Sequence, residues 1–273
     1  MESAIKRILL VLLTALPLMA QAQDTENYGA LWTEVGVTKV LPYDFTLDAG
    51  IGLRTLDWFE DVNRFDASLG VGYKLGKYVK FGLSYTFIER HYWDRPKAHY
   101  SNSTGYFNGY NIDEAQWTPR HRLSFDVSAD KRFWKTVRIG LRERYQFTHQ
   151  AARDFNRTKQ RDPVYDADGN ITGFDEITVG PEHKDAWNRH LLRSRLKFSI
   201  DKKGWDWEPF VSAELHNNLG DNFHTDKIRC AAGTEYSLSK QHKLSAAYIF
   251  THENDDDGNE NIHAISIGYK YKF

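Results

Sequence analysis

The chain holds a single cysteine, Cys230. No intrachain disulfide can form, so stability has to come from packing and hydrogen bonding. Long apolar runs are equally scarce. Beyond residue 22 no stretch approaches the ~20 apolar residues a spanning helix needs. Mean hydropathy is −0.62 and 27% of residues are charged, which excludes a bundle of membrane helices. Neither sign of charge dominates: 36 Lys and Arg stand against 37 Asp and Glu. That balance removes the electrostatic case for a nucleic-acid partner. Aromatic residues, in contrast, are plentiful, with 15 Tyr and 16 Phe. A polar average with many aromatics suits a sheet that has one apolar and one polar face.

The first residues carry a targeting pattern. Lys6 and Arg7 precede a nearly unbroken apolar run from Ile8 to Met19, followed by the small residues Ala20 and Ala22. This is the layout of a secretory signal peptide, with cleavage expected after Ala22. The run is too short for a good spanning helix. No Cys follows it, so lipoprotein processing is not expected. The chain divides into a signal peptide, residues 1–22, and a single barrel domain, residues 23–273.

Beyond the leader the dominant signal has period two. Tyr43, Phe45, Leu47, Ala49, Ile51 and Leu53 alternate with Asp44, Thr46, Asp48, Gly50, Gly52 and Arg54. Phe65 to Tyr73 repeats the pattern against Arg64, Asp66, Ser68, Gly70 and Gly72. Further segments follow at 79–87, 122–130, 137–147, 189–200, 211–215, 228–236, 244–250 and 265–273. With Trp32 to Val40, these give about eleven candidate strands. Most are longer than the strands of a soluble sandwich, and long enough to cross a hydrocarbon layer at a tilt.

Short and long connections alternate strictly. Leu41-Pro42, Gly76-Lys77, Arg132-Phe133, Lys202-Lys203-Gly204 and Ser239-Lys240-Gln241 are short. Residues 56–61, 91–118, 149–186, 218–224 and 253–260 are longer. Barrels of the bacterial outer membrane have this asymmetry, with short periplasmic turns and longer extracellular loops. The predicted fold is therefore all-β, a closed antiparallel up-and-down transmembrane barrel. Single-chain bacterial barrels have even strand counts, so one of the eleven candidates is false or one was missed, and ten to twelve strands are expected. Within the longest loop, Val164 to Thr172 reads as a hairpin about Asp168-Gly169. The chain ends on Tyr269, Tyr271 and Phe273, alternate aromatics of the kind that outer-membrane assembly machinery recognises.

At this point the chain resembles a bacterial outer-membrane family common in Bacteroidetes, catalogued as domain of unknown function 2490. The resemblance rests on Trp32, Arg54, Gly72-Tyr73, Arg142-Glu143-Arg144-Tyr145, Arg193-Ser194-Arg195 and Glu208-Pro209-Phe210. It continues with Glu214, Arg229, Gly233-Thr234-Glu235-Tyr236 and Tyr248. It implies an outer-membrane barrel, with no established activity and no catalytic residues to carry over.

The candidate binding residues are those that alternation turns inward: Arg54, Arg122, Arg138, Arg142, Arg193, Arg195 and Arg229, with Asp126, Glu214 and Glu235. Two readings remain open. One is a salt-bridged, filled lumen; the other is a narrow arginine-lined pathway. A ladder of like charges is costly unless acids interleave, and acids are expected to do so here. Glu143 breaks the alternation, so either a bulge or a place near the headgroups is expected.

An enzyme with a rim site is an alternative, drawing on His91, His99, His149, His183, His216, His224 and His252. No Gly-x-Ser-x-Gly elbow occurs. A further alternative is an adhesin or receptor using the two longest loops. The acidic run 253–260 lacks EF-hand spacing, and neither metal nor cofactor is expected. The expected partners are outer-membrane lipid and lipopolysaccharide, the barrel-assembly machinery and a small solute.

Overall fold

A computed structural model describes residues 26–94, 96–255 and 258–273. The expected leader and its cleavage after Ala22 lie outside the described residues, as do Asp256 and Asp257 of the acidic run.

Eleven strands close into one barrel. In chain order they are β1 (Glu26–Val40), β2 (Phe45–Leu56), β3 (Asp61–Leu75) and β4 (Val79–Tyr92). After two short strands, β5 (Pro96–Tyr100) and β6 (Phe107–Asp113), come β7 (Gln116–Phe133) and β8 (Val137–Gln150). A second interruption, β9 (Arg153–Tyr165) and β10 (Ile171–Lys184), leads to β11 (Trp187–Ile200) and β12 (Trp207–Asn218). The ring is completed by β13 (His224–Ser237), β14 (His242–Asp255) and β15 (Gly258–Lys272).

Eleven falls within the expected ten to twelve, although the count is odd. All eleven sequence candidates are wall strands. In a ring of alternating up and down strands, an odd number leaves the first and last running the same way. β1 therefore pairs with β15 in parallel, from Glu26↔Glu260 to Thr38↔Lys272. The terminal residue extends this seam: Val40 N–H donates to the Phe273 carbonyl (2.8 Å) and Phe273 N–H to that of Thr38 (3.0 Å). Every other wall contact is antiparallel. The turn expected at Arg132-Phe133 sits slightly later, because β7 runs on to Phe133. Trp134 and Lys135 make the reversal, both at positive φ.

The outward face carries the apolar half of each alternation. Leu69, Leu83 and Leu141 are 65%, 60% and 57% exposed. A recurrent pair decorates this wall. A histidine faces an aromatic directly across the ladder and lies beside a tyrosine two residues away. Tyr85–His121, Tyr145–His190 and Tyr248–His263 each bring hydroxyl and Nδ1 to 2.7 Å, and Tyr269–His242 to 2.6 Å. The inner face is polar, except near the loop end beside the parallel seam. There Ala30, Leu56 and Ala264 are buried together against Tyr28, Trp93 and Ile262. Gly29, next to Ala30 but on the opposite face of β1, has no room for a side chain, since a Cβ on it would fall 2.1 Å from the Trp58 indole.

The two longest connections are structured. Strands β5, β6, β9 and β10 form a separate sheet in the order β10-β9-β6-β5. The expected hairpin exists as β9–β10, its turn closed by Asp166, whose carboxylate accepts from the Asp168 and Asn170 amides (2.9 and 2.8 Å). The sequence did not show that the other long loop supplies β6 as a partner for β9. Arg157 Nε meets Asp113 Oδ1 at 2.5 Å on that junction, and Lys184 adds a contact at 3.3 Å. Burial alone would raise the Asp113 pKa, but these two cations hold it below its ordinary value. Gly109 is required here, because a side chain would meet the Gln160 carbonyl oxygen at 1.9 Å. The sheet is tied to the barrel by Arg153, which donates to Thr118 Oγ1 (3.0 Å) and lies over the Tyr92 ring (4.0 Å).

Candidate functional site

The interior is not filled. A cavity of about 1240 Å³ occupies the lumen. It is lined by Lys80 near one end of β4 and by Arg90 near the other, so it follows almost the full length of that strand. Among the described lining residues, Lys and Arg outnumber Asp and Glu about two to one. The inward arginines expected from alternation are there: Arg54, Arg122, Arg142, Arg193, Arg195 and Arg229 all line this cavity, with Asp126, Glu214 and Glu235. Arg138 instead lines a smaller space of about 190 Å³ near the turn end. It is paired there with Asp201 and lies 3.6 Å from Glu208.

One side of the lumen is organised by carboxylates. Glu214 on β12 is almost fully buried. Its Oε2 takes Arg142 at 2.6 Å, its Oε1 takes Arg193 and His216 Nε2 (2.8 Å), and Arg229 lies at 3.9 Å. Asp126 on β7 accepts from Arg144 Nε at 2.5 Å and has Arg142 at 3.9 Å. Glu235 on β13 holds Lys197 at 2.6 Å and Lys243 at 2.9 Å. Each carboxylate serves two or more cations, as expected where charges are taken from water and must be paired. Arg195 sits within this set, opposite Arg142 on β8 and Glu214 on β12.

The other side is different. Arg54, Arg64 and Arg90 stand opposite one another across β2, β3 and β4. The expectation that acids interleave the arginines fails here. The polar face of these strands offers mostly Gly, Ser and Thr as neighbours, with Asp66 two positions along. Arg54 lies over the Trp32 ring at 4.3 Å, and Arg229 lies over the same ring at 4.8 Å. Arg122 donates to Thr148 Oγ1 at 3.1 Å. Towards the loop end, Arg120 donates to Gln150 at 2.7 Å and lies over the Trp187 ring.

Several lining residues were missed by the sequence reading. Arg90 follows the parity of Lys80, Gly82, Ser84 and Thr86, but the buried Ile88 interrupts that polar face before it, so the alternation did not carry through to Arg90. Lys227 and Asp226 escaped because they flank a register shift at His216/Asn217, where strict alternation breaks. Lys227 pairs with Glu253, and Asp226 with Arg189 at 2.5 Å.

Glu143 points outward with the regular wall. Neither ladder of β8 carries a register shift there, so no bulge exists, and Ser194 Oγ donates to its carboxylate at 2.6 Å. Four of the rim histidines have clear partners. His149 meets Asn188 (2.8 Å), His252 meets Asn261 (3.0 Å), and His183 meets Asp154 (2.6 Å). His91 meets Trp93 edge-to-face and packs at a tilt against Trp117. His216 belongs to the lumen rather than the rim.

No curated protein matches the chain. A family profile does, and it extends from residue 29 to residue 262, which takes in β2 to β14, most of β1, the start of β15 and the inward arginines of the lumen. With a closed β-barrel and this match over most of its length, the chain belongs to the family described as protein of unknown function DUF2490.

Proposed function

We propose that this protein is an outer-membrane barrel of a Gram-negative bacterium, and that its lumen is a narrow solute pathway favouring anions. The observation that carries the reading is the cavity running along β4 from Lys80 to Arg90 with cations in excess. A pore lined by one sign of charge attracts the opposite ion. The membrane setting is supported by the exposed Leu-rich wall and by the Tyr–His pairs, which suit the aromatic girdle of a bilayer interface. The leader pattern ending at Ala22 fits export. The seam contacts of Phe273 suit a terminal signature read by assembly machinery before the barrel closes. Lipid and lipopolysaccharide are then its surroundings.

Planar bilayers test this. The refolded mature chain is expected to give small, steady, salt-dependent openings whose reversal potential in a salt gradient favours anions. Arg195→Gln is expected to reduce that preference. A folded but electrically silent barrel would remove the pathway and leave a structural role.

A second reading has its own observation. The four-stranded sheet exposes Tyr100, Tyr106, Ile177 and Val179 at the loop end, a surface suited to a receptor or adhesin. Deleting residues 96–113 and 153–184 would then abolish binding to the partner surface while heat-resistant folding of the barrel survives.

A further inference from the structure

Directly opposed side chains on one face of a ladder lie about 4.5–5.5 Å apart at Cβ, and like charges there repel. Arg54, Arg64 and Arg90 form such a row across three consecutive strands, and all three line the lumen cavity. Among the described residues, the one carboxylate within 4 Å of the row is Asp66, beside Arg64. Even that contact is incomplete. Arg64 Nε lies 3.0 Å from Asp66 Oδ2 but off the N–H axis, so the buried donor makes no hydrogen bond. Arg229 and Arg122 converge on the same region, the first through the shared Trp32 ring and the second as a near electrostatic neighbour of Arg54 and Arg64.

A guanidinium cannot escape this crowding by losing its proton. Burying several without counter-charge is costly, and the carboxylates of the opposite side are already engaged by other cations. Asp66 and, farther off, Glu34 and Glu253 offset part of this charge, and Glu253 is itself held by Lys227; the balance is left for a ligand to supply. We infer that the Arg54–Arg64–Arg90 row, with Arg122 and Arg229, is a binding site for a small, multiply charged oxyanion of the phosphate class. Guanidinium forks match the geometry of such an oxyanion bidentately. Adjacent forks on neighbouring strands can share one tetrahedral anion, which favours two or more negative charges over chloride. The Trp32 ring holds Arg54 and Arg229 beside the site without competing for it, since it offers no acceptor. The inference rests on the pathway reading only in that a solute must be able to enter the lumen.

The test uses the refolded mature chain in a phosphate-free detergent. Sodium phosphate is titrated by calorimetry and thermal unfolding is followed in parallel, with sodium chloride at matched ionic strength for comparison. Phosphate is expected to bind and to raise the unfolding midpoint, whereas chloride leaves it in place. Arg64→Gln is expected to weaken phosphate binding at least tenfold. In phosphate-free buffer the same variant is expected to unfold at a higher temperature than the parent, because the row is relieved of its central charge. Arg90→Gln, which removes an outer charge of the same row, is expected to shift both readouts in the same directions by less. Phosphate acting no better than chloride overturns the site, and so does an Arg64→Gln variant that is less stable without phosphate. Stabilisation by anionic phospholipid but not by free phosphate also overturns it, since lipid meets the outer wall rather than the lumen. Phosphate binding by an electrically silent barrel keeps the site and removes the pathway, and conductance without phosphate binding does the reverse.

Discussion

Two sets of arginines line the same lumen in opposite electrostatic settings. On β8 and β11, Arg142 faces Arg195 and Arg144 faces Arg193. These like-charged pairs are flanked by Asp126 on β7 and Glu214 on β12. On β2, β3 and β4, Arg54, Arg64 and Arg90 face one another with no acid across the ladder. The residue type and the β-ladder geometry are the same in both. What differs is the next strand over: an acid there turns repulsion into a network, whereas Trp32 opposite Arg54 and Thr118 opposite Arg90 leave it uncompensated. The first set is therefore part of what holds the barrel together, and the second is receptive to an anion.

The largest expected effect comes from breaking the first set. Glu214→Gln leaves Arg142, Arg193 and His216 without their shared carboxylate. Removing one partner of a buried charge network costs about 3–5 kcal/mol. The urea midpoint of the barrel in lipid vesicles is expected to fall accordingly, and a near-neutral change would erase the contrast between the two sides. Arg142→Gln sharpens the same contrast at smaller cost, about 1–3 kcal/mol for a lost charged hydrogen bond. It is expected to destabilise while leaving phosphate binding intact, the opposite of Arg64→Gln on both counts.

Glu143 offers a third setting, a carboxylate on the outward wall with only Ser194 to bond it. Glu143→Gln keeps the hydrogen bond and removes the charge. Stability in a bilayer is expected to rise by on the order of 1 kcal/mol, and stability in a short-chain detergent to change less. A loss of stability in the bilayer would place Glu143 in a polar contact rather than against lipid.

The smallest effect belongs to the outer sheet, where charges are hydrated. The Asp154 hydrogen bond raises the pKa of His183 above its ordinary value of 6.5, with Asp185 adding to the effect. The folded state therefore favours the protonated ring. That contribution is complete below the unfolded value and disappears as pH rises through the raised folded value. Amide protection in β9 and β10, corrected for intrinsic exchange, is expected to drop slightly across that window, and His183→Gln to abolish the step.

Much of the architecture was legible because side-chain direction in a strand repeats every two residues, a strictly local property. The runs from Phe45, Phe65 and Val79 located their strands and sorted wall from lumen. The same parity put Arg54, Arg122, Arg142 and Arg193 inside. Asp168-Gly169 marked its hairpin because a tight reversal needs particular residues at its tip. Parity failed where the register shifts, as beside Lys227, and it could not show which strand ends continue inward, as at Arg90.

The sequence by itself determined that there would be a barrel, which residues face inward, and that the interior would be rich in arginine. Only the tertiary structure decided that eleven strands close through a parallel seam, that two long loops join in one sheet, and which arginines have acids across from them. The physical reason is distance along the chain. Alternation is written within one strand, whereas closure and charge pairing depend on the residue that register brings opposite, as when Arg142 meets Glu214 seventy-two positions away.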